Sequence, residues 1–280
     1  MINRQSLLRG AGLFVAGLSL FIVCCYLFIP MGRVNTAINQ ILAAQGLSLS
    51  PKARKTILPG VVWDNLQLSS NQGALISCER LKLQLRLLPL LTGRIALGAA
   101  AHIGPGQAVL EYGVTGKDAL KLQANGIGLA DIPFFKTALG AKVGGNLWSE
   151  GSVTRGPKGL NGELKLELRQ LEFSGVKLGA FPLPDAANLG TQGMIRVTDG
   201  AVRLESFTLQ GEGIYMRLSG DLPSGVHAVN TPLNLSLEIM PKPEFLDKQK
   251  LVFMLLAKFM VSPGVYRVPI KGTLLKPVIL

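Results

Sequence analysis

The sequence predicts a mainly β protein, with a single N-terminal transmembrane helix followed by a curved antiparallel β-sheet and a few short helices. Apolar and polar residues alternate in many short segments, which is the period of a strand with one buried face. Turn residues recur about every 10 positions, as in antiparallel meanders. The 33 glycines favour bulges and bends in such strands. These patterns leave open whether the sheet is a meander with an open groove or a sandwich.

The composition limits the classes of partner. Charged residues make up only 16% of the chain, yet the formal net charge is +12. The basic residues are spread along the predicted strands, without the clustered stripe that indicates nucleic acid. A solvated sheet surface, an anionic lipid surface or an acidic protein each fits this charge. Cys24 and Cys25 are adjacent and Cys78 stands alone, so no disulfide framework or metal-binding pair is indicated.

The N-terminal segment has the features of an uncleaved membrane anchor. Gly10–Ile29 carries no charge, and a helix of about 20 residues spans the roughly 30 Å hydrocarbon layer. The segment is longer than the apolar core of a signal peptide, and Pro30-Met31-Gly32 is a poor cleavage site. Arg4 and Arg9 precede it, so the positive-inside rule places the N-terminus in the cytoplasm. We therefore expect an anchor region at 1–31 and an exported β-rich domain at 32–280.

Short helices and turns interrupt the predicted strands. Helical spacing over Gly32–Gly46 predicts an amphipathic helix ended by Gly46. Asp131 is a candidate N-cap for a short helix, and Glu244–Met260 is predicted to form the last helix. Asp199-Gly200 is typical of a type I′ hairpin turn.

The strand periodicity predicts one apolar face. In Leu75–Leu87, leucines alternate with Lys82, Gln84 and Arg86, which indicates one buried and one solvated side. Two later strands repeat the pattern. The candidate buried or groove face comprises Leu81, Leu83, Leu85, Leu87, Leu164, Leu166, Leu168, Leu233, Leu235 and Leu237.

The chain closes on a strand punctuated by prolines, "SPGVYRVPIKGTLLKP" at Ser262–Pro277. Pro269 cannot donate to a ladder, so the strand should lie at an edge or carry a bulge there. Pro277 should stop further pairing, and the segment is therefore predicted to be the closing edge strand of the sheet. Its apolar side chains form the candidate edge or partner surface: Tyr266, Val268, Ile270 and Leu274.

Residues arranged for catalysis are not indicated. His102 and His227 are far apart in sequence and match no metal-binding spacing. Neither a nucleophile elbow nor a phosphate-binding P-loop occurs. The sequence therefore predicts a protein that is not an enzyme, with no catalytic, cofactor-binding or metal-ligating residues.

Three segments carry a family resemblance: "LLPLLTGRI" at Leu87–Ile95, "PLNLSLEIMPKPEF" at Pro232–Phe245 and "GVYRVPIKGTLLKPVI" at Gly264–Ile279. With the N-terminal anchor and the chain length, they make the whole chain resemble protein N of the bacterial type II secretion system, GspN. The resemblance implies a single-pass inner-membrane protein with its bulk in the periplasm. It also implies contact with other secretion-machinery subunits and no catalytic role.

A second resemblance suggests an alternative function. The β domain is also similar to AsmA-type families, whose sheets form apolar grooves implicated in lipid transport or outer-membrane assembly. On that alternative, phospholipid is a partner of the apolar face.

Overall fold

The computed structural model describes Gly17 and residues 30–56, 59–90, 92–179, 181–225 and 228–279. Within these ranges the protein is mainly β, with one large antiparallel sheet and a few short helices. This agrees with the predicted class at that level. The predicted anchor, Gly10–Ile29, lies outside the described residues except for Gly17. No helix in the described ranges combines the length and the hydropathy needed to span a bilayer.

The helices are short. They are α1 (Met31–Ala43), α2 (Leu87–Leu90), α3 (Phe134–Leu139), α4 (Pro243–Lys248) and α5 (Lys250–Leu256), with 3-10 turns at Leu129–Asp131 and Ala257–Phe259. The strands are β1 (Leu47–Ser50), β2 (Arg54–Lys55), β3 (Gly60–Ser70), β4 (Gly73–Arg86), β5 (Ala96–Ile103), β6 (Gly106–Gly113), β7 (Asp118–Gly128), β8 (Lys142–Arg155), β9 (Leu160–Ser174), β10 (Lys177–Leu178), β11 (Phe181–Pro182), β12 (Ala186–Thr198), β13 (Ala201–Gly211), β14 (Ile214–Leu222), β15 (Asn234–Pro241), β16 (Met260–Ser262), β17 (Val265–Thr273) and β18 (Lys276–Ile279).

The large sheet is a meander in which nearly every strand pairs with its neighbours in sequence. Its 16 strands follow the order β1-β3-β4-β5-β6-β7-β8-β9-β12-β13-β14-β15-β17-β16, with β2 also on β3 and β18 also on β17. The hairpin β10–β11 forms a separate two-stranded sheet. Asp199 and Gly200 both have positive φ, 51° and 87°, which confirms the predicted hairpin turn between β12 and β13.

The strand ends gather at two opposite ends of the sheet. At one end lie α3, the β10–β11 hairpin, α4 and α5; we call it the helix end. The hydroxyl of Thr137 in α3 donates to the carbonyl oxygen of Ala74 at the start of β4, at 2.5 Å. At the other end lie the connections β4–β5, β6–β7 and β8–β9, followed by β12–β13, β14–β15 and β17–β18; we call it the loop end.

Helix α1 confirms the helix predicted over Gly32–Gly46 and packs on the first strands. The backbone N–H of Ala53 donates to Oδ1 of Asn35 at 3.0 Å, and Nδ2 of Asn35 donates to the Ala53 carbonyl at 3.4 Å. Leu47, just after the helix, pairs with Ser70 at the helix end. The helix therefore runs antiparallel to β1, and its first residue, Met31, is directed toward the loop end.

Two apolar clusters form the core. The larger one lies under the helix end and joins β8–β17 to α4 and α5; Leu189, Ile239, Val268 and Leu256 are among its fully buried members. The smaller one contains Ala53, Trp63, Leu66 and Cys78, with Met31 and Ile38 of α1 packed against it. Helix α3, between β7 and β8, adds Phe135 and Leu139 to the larger cluster.

Two helix predictions need correction. The predicted single helix Glu244–Met260 is split at Gln249, whose backbone leaves the helical region (φ −123°, ψ 36°). The Gln249 side chain accepts from the Asp185 N–H at 2.8 Å and donates to the Asp185 carbonyl at 2.7 Å, so a tertiary contact holds the break. Asp131 is not an N-cap: it ends a 3-10 turn, and α3 begins after Pro133 without a side-chain cap. Its carboxylate instead occupies the space that a side chain at Gly104 would fill.

The predicted edge strand is also wrong. Segment β17 pairs with β15 on one side, and on the other side both β16 and β18 pair with it. Pro277 does not stop pairing, since it lies in β18 opposite Gly272. Within the described residues, only Arg267–Pro269 of β17 lacks a strand on that outer side. Pro269 lies in that gap, where its missing N–H costs the ladder nothing.

Candidate functional site: one apolar face of the sheet

A continuous apolar row crosses the sheet on one face. Each member is the register partner of the next, from β3 to β18, and every one is aliphatic or glycine. The row is Val61, Leu83, Ala99, Leu110, Leu122, Gly151, Leu164, Ile195, Leu204, Gly220, Leu235, Ile270 and Ile279. Since side chains alternate between faces along a strand, residues two positions away share this face.

The registers place nearly all of the candidate face residues on this side. Leu81 and Leu85 flank Leu83 at two-residue spacing, and the β9 and β15 leucines follow the same rule. Leu233 is buried next to β15, and its N–H donates to the Gly272 carbonyl at 2.8 Å. Leu87 does not belong to the face, because β4 ends at Arg86 and Leu87 begins α2.

The opposite face is polar and its charges are paired across strands. Arg86 pairs with Glu111, Arg203 with Asp221 at 3.3 Å, and Arg267 with Glu238 at 2.9 Å. Such exposed pairs contribute little, about 0–1 kcal/mol each. Three open depressions of about 560, 580 and 840 Å³ on this side are lined mainly by charged and amide side chains.

The apolar face is covered at the helix end. Leu189, Ile239 and Val268 are at most 1% exposed, and Phe253 and Leu256 of α5 pack in the same cluster. Rings add specific contacts there: Phe253 lies 5.2 Å from Tyr266 and 6.3 Å from Phe245, centroid to centroid. This half of the face is therefore an ordinary protein core.

The same face is uncovered at the loop end. Leu83 is 36% exposed, Leu97 42% and Tyr112 44%, although the registers put all three on the apolar side. Ile95 and Val114 continue the surface, joined by the hydrogen bond from the Val114 N–H to the Ile95 carbonyl at 2.8 Å. These five residues form the loop-end patch. Large apolar side chains that share a surface in this way commonly mark a binding site.

A second apolar surface lies on the outside of α5. Leu251 is 79% exposed, and Met254 and Leu255 are exposed beside it, as are Met260 and Val261 of β16. We call these five residues the α5 surface. The sequence predicts a helix over Glu244–Met260 but does not show which of its apolar side chains are left exposed. The signal that could have found this surface is the apolar character of every side of this short helix.

The residues predicted to form an edge or partner surface are placed differently. Tyr266, Val268 and Ile270 are buried in the larger core cluster, and Leu274 is half-buried in the turn between β17 and β18. Their side chains are therefore not presented to a partner, whereas the neighbouring strand β16 is exposed throughout.

Ionisable groups do not assemble into a reactive site in the part of the chain that the structure describes. Among those residues, no three His, Cys, Asp or Glu side chains lie close enough to hold a metal ion. His102 is exposed on the polar face, and His227 lies outside the described residues. Cys78 is a free thiol in the smaller core cluster, where burial raises its pKa.

Comparisons with known proteins leave the family open. No model of a protein family, no characterised protein and no solved structure matches this chain. Function must therefore be inferred from the residues and from the two exposed apolar surfaces.

Proposed function

We propose that this chain is a single-pass inner-membrane component of the type II protein secretion machinery. Gly10–Ile29 would hold it in the membrane, and its β domain would act in the periplasm through contacts with other subunits rather than through a reaction. The proposal is supported by the resemblance of Leu87–Ile95, Pro232–Phe245 and Gly264–Ile279 to the GspN family. It is further supported by the α5 surface.

The α5 surface is the observation that carries the proposal. Helix α5 buries Phe253 and Leu256 in the core while Leu251 remains 79% exposed. A helix that is apolar on all sides is normally covered on all sides, so the exposed side is suited to a partner. Asp247, Lys248 and Lys250 are exposed at its margin, so the apolar centre has a polar rim of both signs, as protein interfaces do.

The test is secretion by cells in which a variant replaces this chain. Leu255→Asp puts a charge at the centre of the α5 surface without touching the buried side of the helix. We expect the secreted fraction of a type II substrate to fall at least tenfold while the variant accumulates normally. The matched control is Ile41→Asp, because Ile41 is an exposed apolar residue on α1; it should leave secretion unchanged.

Site-specific photocrosslinking makes the same test direct. A photoreactive side chain at position 255 should crosslink to a subunit of the secretion platform, and one at position 41 should not. If the Leu255→Asp variant is stable and secretion stays normal, the α5 surface is not the contact and the proposal is wrong.

The uncovered half of the apolar face favours a second candidate, the handling of lipid. Leu83, Leu97 and Tyr112 present apolar surface at the loop end of β4–β6, where an acyl chain could lie along the strands. Mass spectrometry of the purified protein should then detect co-purified phospholipid, and Leu97→Asp should reduce it. Absence of lipid, together with crosslinks from position 255 to platform subunits, would exclude this candidate.

A further inference from the structure

The connections β4–β5, β6–β7 and β8–β9 form one continuous surface at the loop end. The guanidinium of Arg155, at the end of β8, donates to the Gly113 and Gly116 carbonyls at 2.5 and 3.1 Å. The Arg155 N–H also donates to the Lys117 carbonyl at 2.7 Å. The β6–β7 and β8–β9 connections are thereby tied together, and the β4–β5 connection joins them through the Ile95–Val114 hydrogen bond.

This surface exposes large apolar side chains. Leu88 of α2 is 79% exposed, beside the loop-end patch with Tyr112 and Val114. Leu160, at the start of β9, is exposed at the same end. Large apolar side chains that are exposed together at one end of the sheet favour insertion into another phase.

Basic side chains accompany the apolar ones. Arg94, Lys117 and Lys158 are exposed, one on each of the three connections. Two carboxylates lie at the same end: Asp118 is 3.9 Å from the Lys121 ammonium, and Asp199 lies against the β8–β9 connection, where its Oδ1 accepts a hydrogen bond from Nδ2 of Asn161 at 3.5 Å. A cavity of about 340 Å³ between the first two connections is lined by Leu88, Arg94 and Lys117. Two carboxylates also lie on its wall: Glu111 is paired with Arg86, and Asp118 is paired with Lys121.

The direction of α1 relates this surface to the proposed anchor. Met31 begins α1 and is directed toward the loop end, because Asn35 contacts Ala53 while the helix terminates at the opposite end. Gly10–Ile29 ends two residues before Met31. A bilayer that holds this segment therefore lies on the loop-end side of the domain.

We propose that the loop end rests on the surface of an anionic phospholipid bilayer. This inference rests on the proposed anchor. Arg94, Lys117 and Lys158 contact lipid phosphates, and Leu88, Tyr112 and Val114 enter the interface between headgroups and acyl chains. Basic side chains close to apolar and aromatic ones are the combination that binds anionic membrane surfaces, and tyrosine favours that depth.

The experiment uses the full chain with its three cysteines replaced, Cys24→Ser, Cys25→Ser and Cys78→Ala. A single new cysteine at position 114 carries an environment-sensitive fluorophore, and a second protein carries it at position 255 on the α5 surface. Each is reconstituted into vesicles of phosphatidylcholine with one third phosphatidylglycerol and a lipid that bears a quencher near its headgroup. We expect quenching at position 114 to exceed that at position 255 at least threefold.

Charge reversal tests the role of the basic residues. Arg94→Glu, Lys117→Glu and Lys158→Glu combined should reduce quenching at position 114 at least twofold, as should vesicles of phosphatidylcholine alone. The emission of Trp63, which is buried in the smaller cluster, reports whether each protein is folded. A label at Leu88, outside the sheet, repeats the measurement if the change at Val114 disturbs folding.

A vesicle-flotation assay distinguishes failure of this inference from failure of the proposed membrane anchor. If the chain floats with vesicles but labels at 114 and 88 are no more quenched than the label at 255, the loop end does not contact the bilayer and the inference is wrong, while the anchor stands. If the charge reversal leaves quenching unchanged, the assignment to anionic lipid is wrong. If the chain does not float, both the anchor and the membrane contact fail.

Discussion

The apolar face of the sheet is buried at the helix end and exposed at the loop end. Two leucine-to-alanine substitutions, one at each end, measure the effect of this difference on the free energy of unfolding. Leu189→Ala and Leu83→Ala remove the same three carbons from two strands of one sheet, on the same face. Leu189 is 1% exposed in the larger core cluster, and Leu83 is 36% exposed at the loop end. Any difference in the loss of unfolding free energy therefore reports the surroundings rather than the chemistry of the substitution.

The expected losses follow from the exposures. Three buried carbons at about 0.8 kcal/mol each give roughly 2.4 kcal/mol of transfer free energy, and a closed cavity at Leu189 raises the loss toward about 4 kcal/mol. At Leu83 about two thirds of the side chain is buried, so roughly 1.5 kcal/mol is lost, with no cavity term because the site is open to water. The gap between the variants is about 2.5 kcal/mol.

Urea unfolding of residues 30–280 in detergent-free buffer measures both values through tryptophan fluorescence. With a slope of about 2.5 kcal/mol per molar urea, the midpoint should fall by about 1.6 M for Leu189→Ala and about 0.6 M for Leu83→Ala, at constant slope. Equal shifts would refute the reasoning, because they would show that the loop end of the apolar face is as well covered as the helix end.

Three further changes test other parts of the fold. Burial raises the pKa of the Cys78 thiol, so Cys78 should resist a thiol reagent at neutral pH in the folded protein and react fully in urea. The contribution of the buried neutral thiol to the free energy of unfolding should be lost as the pH rises past the ordinary thiol pKa, because the thiol of the unfolded state then releases its proton first. Asn35→Ala removes two hydrogen bonds to the backbone and should cost about 1–3 kcal/mol of unfolding free energy, against less than about 0.5 kcal/mol for the exposed Asn39→Ala. The buried hydroxyl of Thr191 has no hydrogen-bond partner within the described residues, so Thr191→Val should raise the free energy of unfolding by about 1 kcal/mol; a loss of that size in the same urea titration would mean that the hydroxyl is bonded.

The sequence predicts strands better than it predicts what covers them. The alternation in β4 identifies Leu81, Leu83 and Leu85 as one face because side-chain direction follows from the backbone alone. It does not distinguish Leu83 from Leu189, although Leu83 is about one third exposed and Leu189 is in the core. Cover depends on helices distant in sequence, and no local pattern contains that information.

The errors at the C-terminus have the same cause. Pro269 and Pro277 predict an edge, but β16 and β18 share the outer side of β17. Pro269 lies in the gap between these two strands, where no ladder hydrogen bond is needed. Pro277 lies within β18, opposite Gly272 of β17. The break in the last helix depends on Gln249 reaching Asp185, which is 64 positions away. Both features are decided by long-range contacts, and so is the exposure of the α5 surface.

The meander also has a consequence for how the domain forms. Because each strand from β4 to β8 bonds to the strand just before it and the one just after, the sheet can lengthen one hairpin at a time, in the order in which the chain is made. Pairing between consecutive strands closes short loops, which lowers the entropic cost of assembly, and stability then accumulates roughly as a sum over neighbouring strand pairs. Shortening the chain from its C-terminus at successive turns should give a graded series of partly zipped sheets rather than a single all-or-none loss.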